Sequence, residues 1–591
     1  MKNLFRFLFA LLSLFWGFSS VFAQWASDPS KNTPVDTGGH TAADVVMLKD
    51  GNGGAFIVWD DLREGDKNPK IFAQHLDKNG YAVWAANGVE ISPPGLIQAH
   101  PQAAAVGDGG IIVSWEEDYR DSALGSAAPA IFAQRISVDG TRMWRDSALQ
   151  IAGPLPFQLF YPLGVTTACT SDGSGGAYVA WANLYSGFQN LVISRIDSSG
   201  NIRWSSSAMN GFSGGALPVG GYDDLRLLQN GTSGVIIAWT DVRNAFSTGI
   251  SLFAQRLDSA GNRRWDTTGV ALAPKPSFLQ EQANEVIASD NAGGVIYAWE
   301  QSQSGSSPHG YAGRVNASGA LTWISPSDSL GVMADSNKST GQENLSLIPD
   351  GSGSVLLTWS DGENYAYVQK IASDGSLPWG GNPHAFAANT SAEVLTTDGS
   401  GGAIVAWSQG LQNGVNIFAQ RVNSSGQPVW SNATNNNEGN PVSTTPSTFQ
   451  TKPVIVSDDA GGAIVAWYDL RASSFGGPAD IYAQHVSSSG SVTKVNPHAS
   501  AVATEFSLQQ NYPNPFNPST QIQFSVPSDG RAVLKVFNIL GQEVATLLDG
   551  AATAGESHQV TFDASRLASG IYFSRLEFGG KMQIRKMLLL K

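Results

Sequence analysis

The chain has 591 residues, a formal net charge of −14, 65 glycines, 17 tryptophans and one cysteine. That length exceeds one ordinary compact domain. The acidic balance, with no Lys/Arg cluster, excludes a phosphate-backbone ligand such as nucleic acid, and the single Cys169 excludes an internal disulfide.

Residues 1–23 read as a secretory signal: Lys2 and Arg6, an apolar stretch from Phe7 to Phe18, then Val21-Phe22-Ala23 as a cleavage site. No later stretch holds the ~18 continuous apolar residues of a membrane-spanning helix, so no transmembrane segment is expected in the mature chain.

From residue 24 to 498 one phrase recurs: a Gly-rich turn, a short apolar run and a tryptophan. It ends at Trp59, Trp115, Trp181, Trp239, Trp299, Trp359, Trp407 and Trp467, eight copies about 58 residues apart. A fixed period of this size marks a stacked or radial repeat architecture. The seventh copy predicts four short strands: 392–397, 403–407, 417–422 and one beginning at 427–430 (QPVW), joined by local turns. The third strand and its turn recur as IFAQHLDKNG, IFAQRISVDG, LFAQRLDSAG and related forms, each followed by a second tryptophan in all but the eighth copy.

Four antiparallel strands repeated eight times predict an all-β, eight-bladed β-propeller, with a seven-bladed ring as the alternative. A β-helical solenoid is disfavoured, because its coils are much shorter than this period. Runs such as AIVAW do not alternate with polar residues, as expected of strands buried on both faces. The missing second tryptophan of the eighth repeat is matched by Trp25, so residues 24–37 are expected to pair with the third strand of that repeat and close the ring.

Candidate chemistry is sparse. An Asp-x-Arg pair follows the first tryptophan in three repeats (Asp61/Arg63, Asp241/Arg243, Asp469/Arg471), and a one-residue-longer copy reads Glu116-Glu117-Asp118-Tyr119-Arg120. These suit loop-fixing ion pairs better than anion clamps. A basic residue occupies the third strand of every repeat (His75, Arg135, Arg195, Arg256, Arg314, Lys370, Arg421, His485), and eightfold recurrence points to packing rather than catalysis. Turns such as Asp50–Gly54 offer one or two oxygens where calcium takes six to eight, so a plain hairpin turn is the favoured reading and a calcium site the weaker alternative. Cys169 reads as a small strand residue, and the histidines show no metal spacing. No catalytic, cofactor or metal residues are assigned. The least repetitive stretches, 154–161 (PLPFQLFY) and 211–224, are where an active site is best sought.

The period stops near residue 498. A linker, 499–510, leads into a different module, 505–591, with strands predicted at 521–526, 532–539, 558–564 and 570–578 and read as a small Ig-like β-sandwich. It carries Asn511-Tyr512-Pro513-Asn514-Pro515-Phe516-Asn517-Pro518, a Lys535–Gly541 strand and turn, Leu567-Ala568-Ser569-Gly570-Ile571-Tyr572, and a basic-apolar tail from Lys586. On these residues the module closely resembles the type A C-terminal sorting domain of the bacterial type IX secretion system. That resemblance implies a route through the inner membrane by the signal and across the outer membrane by this domain, with the secretion machinery as partner. It also implies cleavage of the domain in most members and a location on the cell surface or in the medium. It does not say what the cargo does. The expected role is a binding or structural module for a glycan or protein ligand. The alternative is an extracellular polysaccharide-degrading hydrolase or lyase.

Overall fold

The computed structural model describes residues 25–590 apart from a set of loop segments, of which 154–166, 208–224 and 493–505 are the longest. The signal peptide, most of the expected linker and the two least repetitive stretches lie outside the described residues. The chain divides into two compact units, one ending at Thr493 and the other beginning at Lys494.

Every element of the first unit is a strand, and among the described residues they form eight four-stranded antiparallel sheets. In the first repeat the strands are Thr41–Lys49, Ala55–Leu62, Lys70–Leu76 and Val89–Glu90, paired in that order. The second strand of each repeat carries the Trp phrase. In Ala55–Leu62 every residue but the last is buried, because neighbouring sheets cover both faces. The first strand of each sheet packs against the first strand of the next, and that of the eighth, Gln450–Ser457, packs against Thr41–Lys49 of the first. The arrangement is therefore propeller-like, with the first strands forming an unbroken circuit around an axis.

The eighth sheet is completed from the other end of the chain. Thr33–Asp36 pairs with Asp480–Val486, opposing Thr33 to Ala483. The seam repeats the hydrogen bonds of every other junction. In each repeat the second tryptophan donates its indole N–H to a turn carbonyl of the following repeat, as Trp84 does to Val138 (2.9 Å) and Trp430 to Ser488 (2.9 Å). Trp25 does the same to Lys78 (2.8 Å). The buried Gln of the IFAQ phrase likewise bonds the chain just after that tryptophan: Gln74 donates to Ala85 O, and Gln484 donates to Ala26 O (3.0 Å).

One expectation needs correcting. Fourth strands were expected to begin at the second tryptophan, as at 427–430. In the third repeat one does, as Ile202–Ser207 with Trp204 opposite Arg195, but in the seventh the fourth strand is Asn440–Pro441, and residues 427–430 make only an isolated bridge, Pro428 to Val422, after the turn. The chain leaves the third strand after that bridge and returns to it only at Asn440–Pro441. The eighth sheet follows the same rule, with Trp25 preceding Thr33–Asp36.

The C-terminal unit has a three-stranded sheet (Ser507–Leu508, Ser519–Ser525, Ser557–Asp563) and a four-stranded sheet (Gly530–Asn538, Glu543–Ala552, Gly570–Phe578, Lys581–Leu589). Leu508, Phe524 and Phe562 from one and Leu534, Leu576 and Met587 from the other share a single apolar core. Three of these strands lie outside the four expected. Ser507–Leu508 is only two residues long. Glu543–Ala552 ends in a Gly-Ala run with low strand propensity, and Lys581–Leu589 is an edge strand whose basic residues made it look like a tail.

Candidate functional site

The recurrent residues form scaffold. Trp25, Trp59, Trp115, Trp299, Trp359, Trp407 and Trp467 are fully buried, and Trp181 and Trp239 are nearly so. Six of the third-strand basic residues, Arg135, Arg195, Arg256, Arg314, Lys370 and Arg421, reach a backbone carbonyl of the next sheet. Arg421 donates to Asp398 (3.1 Å) and to the Ser488 carbonyl of the next repeat (3.4 Å). His75 and His485 contact Asp50 (3.0 Å) and Asp458 (2.8 Å) in the same way. Each of those aspartates also accepts amide hydrogens from its own turn, as Asp50 does from Asn52 and Gly54. Its oxygens are thereby spent on the hairpin, which leaves little for a cation.

The Asp-x-Arg motifs are also structural where described. Arg63 pairs with Asp61 (2.9 Å) and lies over the Phe72 ring, and Arg471 pairs with Asp469 (2.6 Å) and lies over Tyr482. Arg243 lies outside the described residues. Cys169 is a strand residue whose thiol is pushed up to about 12 by desolvation, leaving it inert at neutral pH.

What does not repeat gathers at the axis. Six first strands carry a β-bulge at one equivalent place, between residues 43 and 46, 99 and 102, 283 and 286, 343 and 346, 391 and 394, and 451 and 454. In the other two sheets the described pairing does not extend to this position. The residue just before each bulge faces the residue that follows the first tryptophan: Ala43 opposes Asp60, Ala99 opposes Glu116 and Thr451 opposes Tyr468. Four bulge residues, Asp44, His100, Asn344 and Lys452, hold positive φ between 46° and 60°. Side chains with a Cβ avoid that region unless the surroundings impose it, and such strain collects at functional sites.

These bulge residues meet the residues after the tryptophans. His100 Nδ1 lies 3.3 Å from Glu116 Oε2, and His100 Nε2 lies 3.7 Å from Asp44. Asn344 donates to Ser360 Oγ (3.0 Å), Lys452 stands over the Tyr468 ring, and the Tyr468 hydroxyl accepts the Val45 amide hydrogen (2.9 Å). The Glu116 contact, opposed by desolvation and helped by the Asp44 carboxylate, raises the pKa of His100. Burial pushes the Asp60 carboxyl up to about 7, with Asp44 adding and His100 opposing. A cavity of about 400 Å³ opens beside them, lined by residues of the first, sixth, seventh and eighth repeats that include Asp44, Asn344, Glu393, Lys452 and Tyr468.

The sequence reading passed over this cluster. Its signal was there: in a repeat with an invariant Trp, the next position reads Asp, Glu, Ala, Thr, Glu, Ser, Ser, Tyr. The Asp-x-Arg pair one residue further on recurs and is the more conspicuous pattern.

The sorting motif folds as one latch. Asn514 Oδ1 accepts the Leu588 amide hydrogen (2.7 Å), its Nδ2 donates to Lys586 O (3.3 Å), and Phe516 exchanges backbone bonds with Leu588 and Leu590. Asn511 is buried against Thr520, Pro518 O accepts the Ala564 amide hydrogen, and Asn517 is exposed. The Tyr572 hydroxyl donates to Ala568 O (2.8 Å), Gly541 closes the turn to Asn538, and Gly570 opens its strand opposite Leu589. Tyr512, Pro513 and Pro515 lie outside the described residues.

Residues 510–590 match the family described as the secretion system C-terminal sorting domain. The chain thus carries a type IX secretion C-terminal sorting domain, and the protein is exported to the cell surface or secreted. Among the described residues no helix is long and apolar enough to cross a membrane.

A search among curated proteins returns no match. Among solved structures, the chain is similar to an α-L-arabinanase from Penicillium chrysogenum, with 13% identity, 66% of this chain and 96% of that one covered, and a TM-score of 0.34. It is similar to the polysaccharide lyase Uly1, with 10% identity, 75% and 89% covered, and a TM-score of 0.38. It is also similar to a protein of unknown function from Dyadobacter fermentans, with 9% identity, 77% and 98% covered, and a TM-score of 0.33. At these values the likeness carries no activity to this chain.

Proposed function

We propose that residues 24–498 form an eight-bladed β-propeller, released from a signal peptide at 1–23 and joined by a linker at 499–510 to an Ig-like sorting sandwich, and that the propeller binds an extracellular glycan or protein at one mouth of its axis. The observation that carries this reading is the convergence of Asp44, Asp60, His100, Glu116, Lys452 and Tyr468 at positions that a purely structural repeat would leave alike. Rim and axial residues of a propeller are the ones free to vary, because neighbouring blades do not need them for packing.

A second reading, a polysaccharide hydrolase or lyase, is favoured by one feature. A carboxyl held near 7 beside a histidine and further carboxylates suits general acid chemistry at neutral pH.

A glycan array and a reducing-sugar and unsaturated-product assay on the whole exported chain separate the two. Binding without turnover, lost in His100→Ala, supports the module. Turnover by the wild type that Asp60→Asn abolishes while binding persists establishes the enzyme instead. Binding that survives both substitutions places the ligand elsewhere.

A further inference from the structure

The axial cavity contains a buried carboxyl group that no cation pairs with among the described residues. Glu393, on the first strand of the seventh repeat (Thr390–Thr397), is 3% exposed and lines the cavity. The Thr390 and Ser360 hydroxyls lie close enough to favour its ionised form, but neither oxygen makes a hydrogen bond of good geometry and no cation pairs with it among the described residues. Burying an unpaired carboxylate is costly, and natural interiors rarely leave one so. The charged and titratable groups around it are Asp44, Lys452 and Tyr468 in the same cavity and Glu343 on the adjacent first strand. Lys452 is engaged over the Tyr468 ring, and the Tyr468 hydroxyl is bound to Val45. Two carboxylates, Glu393 and Asp44, therefore share the cavity with one cation that is already placed.

The geometry points to an amino sugar as the ligand of this cavity: a hydroxylated ring bearing a free primary ammonium that Glu393 accepts. This inference rests on the axial mouth being the binding site. An ammonium supplies up to three donors and the charge that the buried carboxylate lacks. The remaining lining suits the rest of a sugar. Asn344 and Ser346 offer polar groups, and Val394 and Val454 provide an apolar wall for the ring face. A volume of about 400 Å³ falls within the ~300–1,000 Å³ range of small-ligand sites. A lysine side chain would also bring an ammonium, but its bare alkyl stem would leave those polar groups without partners.

The test is calorimetric titration of the exported chain with glucosamine oligomers, the corresponding N-acetylated oligomers, neutral gluco-oligomers and tetralysine. Glucosamine oligomers are expected to bind roughly tenfold or more tighter than the N-acetylated set, the value of one charge-assisted hydrogen bond. Glu393→Gln should erase that preference while keeping the thermal midpoint at or above wild type, because a buried charge is removed. Asp44→Asn should reduce the preference partially.

Equal or tighter binding of the N-acetylated or neutral oligomers, or a preference that survives Glu393→Gln, overturns the amino-sugar assignment and leaves the axial mouth as a glycan site. Tighter binding of tetralysine overturns it in favour of a basic peptide. Absence of binding by every probe overturns both this assignment and the glycan reading of the mouth.

Discussion

At Asp60 burial and charge act against each other. Burial drives the carboxyl from 3.8 to about 7, aided by Asp44 and opposed by His100. Because the folded value lies above the unfolded one, the native state holds this proton more tightly. The stabilisation is full below the unfolded value and is lost as pH rises through about 7. Asp60→Asn removes the titration. The stability of the variant relative to wild type is expected to rise between about pH 4 and 7, by on the order of 4 kcal/mol in all. Denaturant unfolding at three pH values across that window measures it, and a difference that stays constant with pH would contradict the assignment. Glu393 shifts upward for the same reason, desolvation. Neither group could be singled out in the sequence, where Asp60 is one of two adjacent aspartates and Glu393 is one acid in a polar stretch. Their burial depends on neighbouring repeats.

At the scale of the element, the second tryptophan and the IFAQ glutamine decide how one sheet joins the next. Trp25 is 1% exposed and spans the seam by bonding both Asn79 O (through its amide) and Lys78 O. Trp25→Ala is expected to destabilise the protein by about 3–5 kcal/mol, comparable to the same change at the internal junction residue Trp84. Equilibrium unfolding of the two variants checks this. A Trp25 effect below 1 kcal/mol would mean that the seam bears little of the stability. The tryptophan phrases and IFAQ runs were legible as strands because their composition and spacing are local properties. Most fourth strands were not, because the few residues that pair there carry no pattern of their own, as in Val89–Glu90, Val270–Ala271 and Asn440–Pro441; Ile202–Ser207, which contains Trp204, is the exception. The six bulges were equally hidden, since a bulge is a relation between two strands and exists only in their register.

For the whole molecule, closure and export are separate tasks carried by the two ends of the chain. The N-terminal strand Thr33–Asp36 completes the eighth sheet, and the motif around Asn514 and Phe516 clasps the final strand, Lys581–Leu589. Removing residues 586–591 would release the partners of Asn514 and Phe516 together. The truncated protein is expected to stay in the periplasm, and fractionation with immunoblotting would show it. Appearance of the truncated chain at the surface would mean that the latch is dispensable for export.

The sequence by itself determined the all-β class, the eightfold period, the export domain and the match of Trp25 to the gap in the last repeat, because each is written in residues close together or repeated many times. Only the tertiary structure brings together the residues of the proposed site. Asp44, Asp60, His100, Glu116, Glu393, Lys452 and Tyr468 come from four repeats spread over more than four hundred residues. Their proximity arises when the first strand of the eighth repeat packs against that of the first, a contact between distant parts of the chain that no local pattern encodes.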